Sequence, residues 1–121
     1  MRYAFKKLVV WQRSKKLAVQ VIIEFADCKN FALKDQITRS VLSIPSNIAE
    51  GHGRKGTKEQ IQFFHISLAS VSELETQLVI ACETEKLTKE HYTLFSQELY
   101  EIYCMLFRLI QSKRRQEDLR T

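Results

Sequence analysis

Ser43-Ile44-Pro45-Ser46-Asn47-Ile48-Ala49-Glu50-Gly51-His52-Gly53-Arg54 holds the only proline of a 121-residue chain and two of its three glycines. It interrupts what otherwise reads as helix, so the chain must bend, stop and restart here. Pro45 removes a backbone donor and crowds the preceding turn, which predicts a kink in the helix that carries it. Ser43 and Ser46 can bond the backbone groups freed by that kink. Gly51 and Gly53 are expected to end the helix by supplying a left-handed C-cap.

Outward from this run the periodicity is helical. Before it, Leu33, Ile37, Val41, Ile44 and Ile48 form one stripe of helix 2, recurring at the spacing of a helix face. Gln36, Ser40, Ser43, Asn47, Glu50 and Arg54 form a polar stripe one residue step away, suited to a close, hydrogen-bonded helix contact. Helix 1 is expected over about Phe5 to Cys28, with Trp11, Ala18, Val21, Ile22 and Phe25 inward and Lys29-Asn30 ending it. After the run, Thr57-Lys58-Glu59-Gln60 reads as a capping box opening helix 3. Ile61, Phe64, Leu68, Val71 and Leu78 are its apolar stripe. Its second line, Phe63, Ser67, Ser70, Leu74, Gln77 and Ala81, has small residues that permit close helix approach. Thr88 opens helix 4 in the same way, with His91 at the third position. There Tyr92, Phe95, Leu99, Ile102, Leu106 and Leu109 are the core stripe, and a polar tail from about 114 is expected to fray.

Short connections join antiparallel neighbours, so the expected fold is all-α: one domain over residues 1–121, an antiparallel up-down-up-down four-helix bundle. The composition, 45% hydrophobic and 27% charged, fits a soluble globular chain. The longest apolar run, Ile102 to Phe107, is far short of a roughly 20-residue membrane span. No apolar signal core follows the basic start, and the expectation is a cytoplasmic protein. Helix 4 carries more apolar surface than one core needs, with Tyr100, Tyr103, Phe107 and Ile110 beside its main stripe. Such a face points to a second subunit, or to a wide stripe deep in a single core.

The net charge is +5, and its distribution matters more than its size. In the expected topology helix 1 starts, helix 2 ends, helix 3 starts and helix 4 ends at one pole. Arg2, Lys6, Lys7, Arg13, Lys15 and Lys16 come to it from the chain's start, and Arg54, Lys55 and Lys58 from the 2–3 turn. Arg108, Lys113, Arg114, Arg115 and Arg120 arrive from the end of helix 4, against four acids, Glu50, Glu59, Glu117 and Asp118. Cations at the starts of helices 1 and 3 oppose the helix dipole, so stability alone does not place them there. A cationic cap attracts a phosphate backbone with strong salt dependence. Arg13, Lys15, Lys16, Arg54, Lys55, Lys58, Lys113, Arg114 and Arg115 are the candidate nucleic-acid contacts. Ser43, Pro45, Asn47, Glu50, Gly51 and Gly53 are the structural motif. Few aromatic residues accompany the cap, so base stacking on single strands is not expected.

No catalytic chemistry is legible. No glutamate has a histidine three residues later, as a di-iron bundle requires. His52, His65 and His91 lack metal-ligand spacing, and Cys28, Cys82 and Cys104 form no Cys-x-x-Cys pair. Gly51-His52-Gly53-Arg54 lacks the strand and the Lys-Ser/Thr of a phosphate loop. Glu73 and Glu75 are two residues apart and point different ways on a helix. Glu75 falls near the apolar stripe, where a partly buried, hydrogen-bonded carboxylate is expected, and His65 is expected to be packed or interfacial.

Three strings carry a family likeness: Leu8-Val9-Val10-Trp11, the Ser43–Gly51 run with Gly53-Arg54, and Ser72-Glu73-Leu74-Glu75-Thr76-Gln77-Leu78. Through them the chain, from about Phe5 to Ser112, resembles the four-helix bundle proteins encoded by intervening sequences in bacterial 23S ribosomal RNA genes. His52 stands where members of that family often have an aromatic residue. The resemblance implies a cytoplasmic bacterial bundle that assembles as a homopentamer, with no established enzyme activity. It is also similar to the accessory variability proteins of diversity-generating retroelements, basic pentameric barrels that bind nucleic acid and a reverse transcriptase. The expected function is a non-enzymatic oligomeric bundle, without cofactor or metal, that binds RNA or other nucleic acid through its basic pole. The alternative is a protein–protein adaptor, for example an accessory to a reverse transcriptase or to a ribosome-associated factor.

Overall fold

A computed structural model describes residues 3–120. A short 3-10 turn, Ala4–Lys7, precedes four helices: α1 (Val9–Glu24), α2 (Phe31–His52), α3 (Thr57–Glu83) and α4 (Lys89–Arg120). Among the described residues there is no strand, and the helices form a four-helix bundle. α1 packs on α2 and α4, and α3 packs on α2 and α4. Paired residues run in opposite directions along three of these contacts. Arg13 meets Glu98 and Glu24 meets His91 across α1 and α4. Ser70 meets Ser43 while Phe64 lies against Gly51 across α2 and α3. Glu75 meets Tyr92 while Thr57 meets Arg120 across α3 and α4.

One core joins all four helices. Ile37, Val41, Ile44 and Ile48 are fully buried on α2, in one cluster with Val21 of α1, Phe25 just after it, Leu74 and Leu78 of α3, and Leu99, Ile102 and Leu106 of α4. Most of these belong to the stripes that the 3.6-residue period picks out, but Leu74 comes from the second line of α3, and Ile22, expected inward on the first helix, is exposed. The small-residue line of α3 is internal. Ser67 Oγ donates to the carbonyl of Ile44 at 2.9 Å, and Ser70 Oγ to Ser43 Oγ at 2.8 Å. Asn47 Nδ2 completes this seam by donating to the carbonyl of Ser43 at 2.8 Å and to its hydroxyl at 2.9 Å. Ser43 and Asn47 of the polar stripe thus form the contact with α3, where the buried hydroxyls of Ser67 and Ser70 each find a partner.

Several local expectations are corrected. The first helix is shorter than Phe5–Cys28: Leu8 is extended (φ −72°, ψ 125°) and separates the 3-10 turn from α1. Gln12 Nε2 donates to the carbonyl of Lys6 at 2.7 Å, and the Phe5 ring packs edge-on against Trp11. Asn30 does not belong to the end of α1. It is the N-cap of α2, its Oδ1 accepting from the Leu33 amide at 3.1 Å. α2 runs through Pro45 to His52, and neither Gly51 nor Gly53 has a positive φ. Gly51 is a spacer instead. A Cβ there would lie 2.8 Å from the Phe64 ring and 2.9 Å from Phe63 Cβ, so a hydrogen at this position lets α3 approach.

Helix ends differ as well. Thr57 is not an N-cap: it is the buried first residue of α3, Gly56 holds the cap position, and Gln60 Nε2 donates to the carbonyl of Arg54 at 3.0 Å. Thr88 does cap α4, accepting from the His91 amide at 3.1 Å. The C-terminus of α3 closes on Glu85, at φ 62°. The Lys86 amide bonds the Ala81 carbonyl and the Glu85 amide that of Cys82, a Schellman pattern built without glycine. α4 is helical to Arg120, and Arg114 and Arg120 tie its last turns to α3.

Candidate functional site

The α2–α3 turn and the last turns of α4 meet at one end of the bundle. Arg120 Nη1 donates to Thr57 Oγ1 at 3.3 Å, and Gly56, Thr57, Lys58, Glu117 and Arg120 line an open groove of about 370 Å³. About two turns further along α3, Arg114 Nη2 lies 2.9 Å from His65 Nε2. Because a guanidinium only donates, the ring nitrogen facing it accepts. Arg54 lies 4.8 Å from the Phe63 ring centroid and 3.4 Å from the Glu50 carboxylate, an exposed pair of small energetic weight. Lys55, Lys58, Arg108 and Arg115 are exposed, and Lys113 is half-buried.

The cations of α1 are placed differently. Arg13 lies at the waist of the bundle, with Nη2 2.6 Å from Glu98 and 2.9 Å from Glu101 and Nε donating to Glu98 at 2.9 Å. The hydrogen bond to Glu98 and the two carboxylate charges raise its already high pKa further, against a smaller loss from burial. From Glu101 to Arg114 is 13 residues of α4, about 20 Å of helix, so Arg13 is well short of the cap. Lys16 shares a 670 Å³ groove between α1 and α4 with Arg13, Glu24, His91 and Glu98. Lys15 is exposed on the same helical turn. Lys6 and Lys7 belong to the 3-10 turn, which packs on α1 and α2. Arg2 lies outside the described residues.

α4 leaves a second feature on the surface. Tyr100 is 68% exposed, Tyr103 38% and Phe107 46%, whereas Ile110 is 2% exposed and part of the interior. Tyr103 and Phe107 stack nearly parallel at 6.5 Å. Spacings of three and four place these rings on one stripe. Beside it, Glu75 of α3 accepts hydrogen bonds from Tyr92 Oη at 2.5 Å and Ser96 Oγ at 2.7 Å. The bond to Glu75 holds the Tyr92 phenol above its ordinary pKa, with Ser96 acting in the other direction. Glu75 is half-buried and hydrogen-bonded, as its position near the apolar stripe suggests, but its partners were not visible in the sequence. They sit on another helix, and no local spacing encodes them.

Among the described residues no group of three or more His, Cys, Asp or Glu side chains could hold a metal ion. The three cysteines are free and half-buried. No described helix is long and apolar enough to cross a membrane.

Residues 6–108 match a family model described as 23S rRNA-intervening sequence protein. The chain is also similar to a crystal structure from Bacteroides thetaiotaomicron VPI-5482, a protein of unknown function from the S23 ribosomal protein family. The two share 29% identity with a TM-score of 0.80, over 84% of this chain and 98% of that one. No curated protein matches.

Proposed function

The chain belongs to the family of 23S rRNA-intervening sequence proteins, and we propose that it is a non-enzymatic, oligomeric helical bundle of the cytoplasm that binds RNA, or nucleic acid generally, through its basic cap. The observation that carries this reading is the meeting of the α2–α3 turn with the end of α4, which gathers Lys55, Lys58, Arg114, Arg115 and Arg120 within a few turns of helix. Long exposed cations on rigid helix ends are suited to phosphate rather than to base edges, so the binding is sequence-independent. Arg13 is outside this proposal as a phosphate contact, since two carboxylates already hold it. Lys15 and Lys16 flank the surface at the waist. Assembly through the aromatic stripe of α4, as a homopentamer in the family's manner, would repeat the cap and multiply its field.

A salt-titrated RNA-binding measurement tests this. Wild type is expected to bind at low salt and weaken steeply as salt rises, each phosphate contact contributing a slope of about −0.7 to −0.9 in log K against log salt. Arg54/Lys55/Lys58→Glu is expected to lose at least about tenfold in affinity and to show a shallower slope, while Arg13→Ala binds as wild type. Equal binding by all three proteins, or none at low salt, sinks the reading. The adaptor reading draws on Tyr100, Tyr103 and Phe107, and predicts instead a protein complex that survives high salt.

A further inference from the structure

The seam between α2 and α3 is not closed along its whole length. In the first half of α2 it opens into a cavity of about 190 Å³, lined by Gln36, Arg39, Ser40 and Ser43 of α2 and by Ser70 and Glu73 of α3. Every lining side chain is polar, and none comes from α4, so the cavity lies apart from the aromatic stripe of that helix. Its volume is that of about six waters at roughly 30 Å³ each. Ser40 is 6% exposed, and its hydroxyl has no hydrogen-bond partner among the described residues. An unpaired buried hydroxyl is costly, so this one calls for a partner from outside the chain. Ser43 Oγ accepts from Asn47 Nδ2 and from Ser70 Oγ, which fills its lone pairs and leaves its own hydrogen to donate. Arg39 and Glu73 border the same cavity with opposite charges, and neither has an ion pair among the described residues.

We propose that this cavity binds a small free α-amino acid, such as glycine, alanine or serine, as its zwitterion. The carboxylate sits on the Arg39 guanidinium and the hydroxyls of Ser40 and Ser43, and the ammonium sits on Glu73. The donors come from α2 and the acceptor carboxylate from α3, so the two ends of a zwitterion meet different helices. A guanidinium with free hydroxyl hydrogens is a donor set for a carboxylate. A simple anion is opposed by Glu73, and a simple cation by Arg39. An apolar ligand would leave the hydroxyls unpaired, which is costly. A metal ion would find one carboxylate and no second strong ligand. Water pairs the hydroxyls, but only a ligand carrying both charges bridges Arg39 and Glu73. The small volume and the absence of an apolar wall exclude a large hydrophobic side chain. The site is independent of the basic cap and of nucleic-acid binding.

The test follows backbone amide resonances of the full-length protein while glycine, L-alanine, L-serine or L-phenylalanine is added, with acetate and methylammonium as the two half-ligands. Saturable shifts at Ser40, Ser43 and Ser70 are expected with the three small amino acids. Binding of either half-ligand, which keeps only one of the two charges, is expected to be at least about tenfold weaker, and phenylalanine is expected not to bind. Arg39→Gln and Glu73→Gln alter only exposed side chains and are expected to keep the fold. Each should weaken glycine binding at least about tenfold, the loss of one charge-assisted pair. Acetate or methylammonium binding as tightly as glycine would mark a simple ion site and overturns the proposal, as does phenylalanine binding as tightly as glycine. No saturable shift with any small amino acid leaves the cavity to water and overturns it too, and so does unchanged affinity in either variant.

Discussion

The Tyr92 phenol on α4 donates to the Glu75 carboxylate on α3 at 2.5 Å, joining two helices through a charged acceptor. Such a bond contributes on the order of 1–2 kcal/mol. The phenol's pKa is raised in the folded protein, first by that bond. A raised folded-state value means that the stabilisation is complete below the unfolded value, about 10, and is lost as pH rises through the folded value. Urea denaturation of wild type and Tyr92→Phe across a pH series should therefore show a constant gap from neutral pH to about pH 9. The gap should close in more alkaline solution. A gap unchanged there would mean that the bond contributes little.

Gly51 and Gly53 lie two residues apart and should respond in opposite ways. At Gly51 a Cβ would press on Phe64 at 2.8 Å and Phe63 at 2.9 Å, so Gly51→Ala forces α2 and α3 apart. A loss of about 1–3 kcal/mol is expected. Gly53 has φ −80° and its nearest neighbours at 3.7 Å, a conformation open to alanine. Gly53→Ala should be neutral or stabilise by up to about 1 kcal/mol, through a less flexible unfolded chain. Thermal melts of the two variants separate the spacer role from a capping role, since a C-cap would make Gly53 the sensitive site.

Glu85 is the only non-glycine residue with positive φ among those described. An L side chain in the left-handed region carries a cost of about 1–2 kcal/mol, part of which glycine removes and part of which its greater unfolded freedom returns. Glu85→Gly should raise stability by up to about 1 kcal/mol, and Glu85→Ala should leave it nearly unchanged. A melting temperature lowered by the glycine would show that the Glu85 side chain itself holds the turn.

What was legible in the sequence was the side of each helix that faces inward. A burial stripe repeats every three or four residues, so Ile37, Val41, Ile44 and Ile48 declare it without tertiary information. The polar seam of α2 was legible for the same reason, since Ser43 and Asn47 are one turn apart. The helix ends were not. Gly51 has two possible uses, left-handed turn or close approach, and only the position of Phe64 decides between them. Thr57 and Gln60 have the letters of a capping box, but Gln60 bonds the Arg54 carbonyl instead. The charge pattern was legible as a list and misleading as a map. Arg13 and Arg114 both read as exposed cations, yet one meets two glutamates and the other a histidine on a different helix. Those partners are 49 to 88 residues distant in sequence.

Phe107 offers the sharpest test of assembly. It is 46% exposed, stacked on Tyr103, and continuous with Tyr100 along one stripe of α4. Covering such rings in a subunit contact removes apolar area worth about 25 cal/mol per Å², and the described residues leave them partly exposed. The wild-type chain of 14.2 kDa should sediment as a larger species whose size is stable to salt, because an apolar contact is not screened. Phe107→Glu places a charge in that contact and should yield monomers, while circular dichroism stays helical because the ring is not part of the core. The monomer should also bind RNA far more weakly than wild type if several caps act together, by loss of avidity. Monomeric wild type at high protein concentration would remove the α4 stripe as a subunit contact.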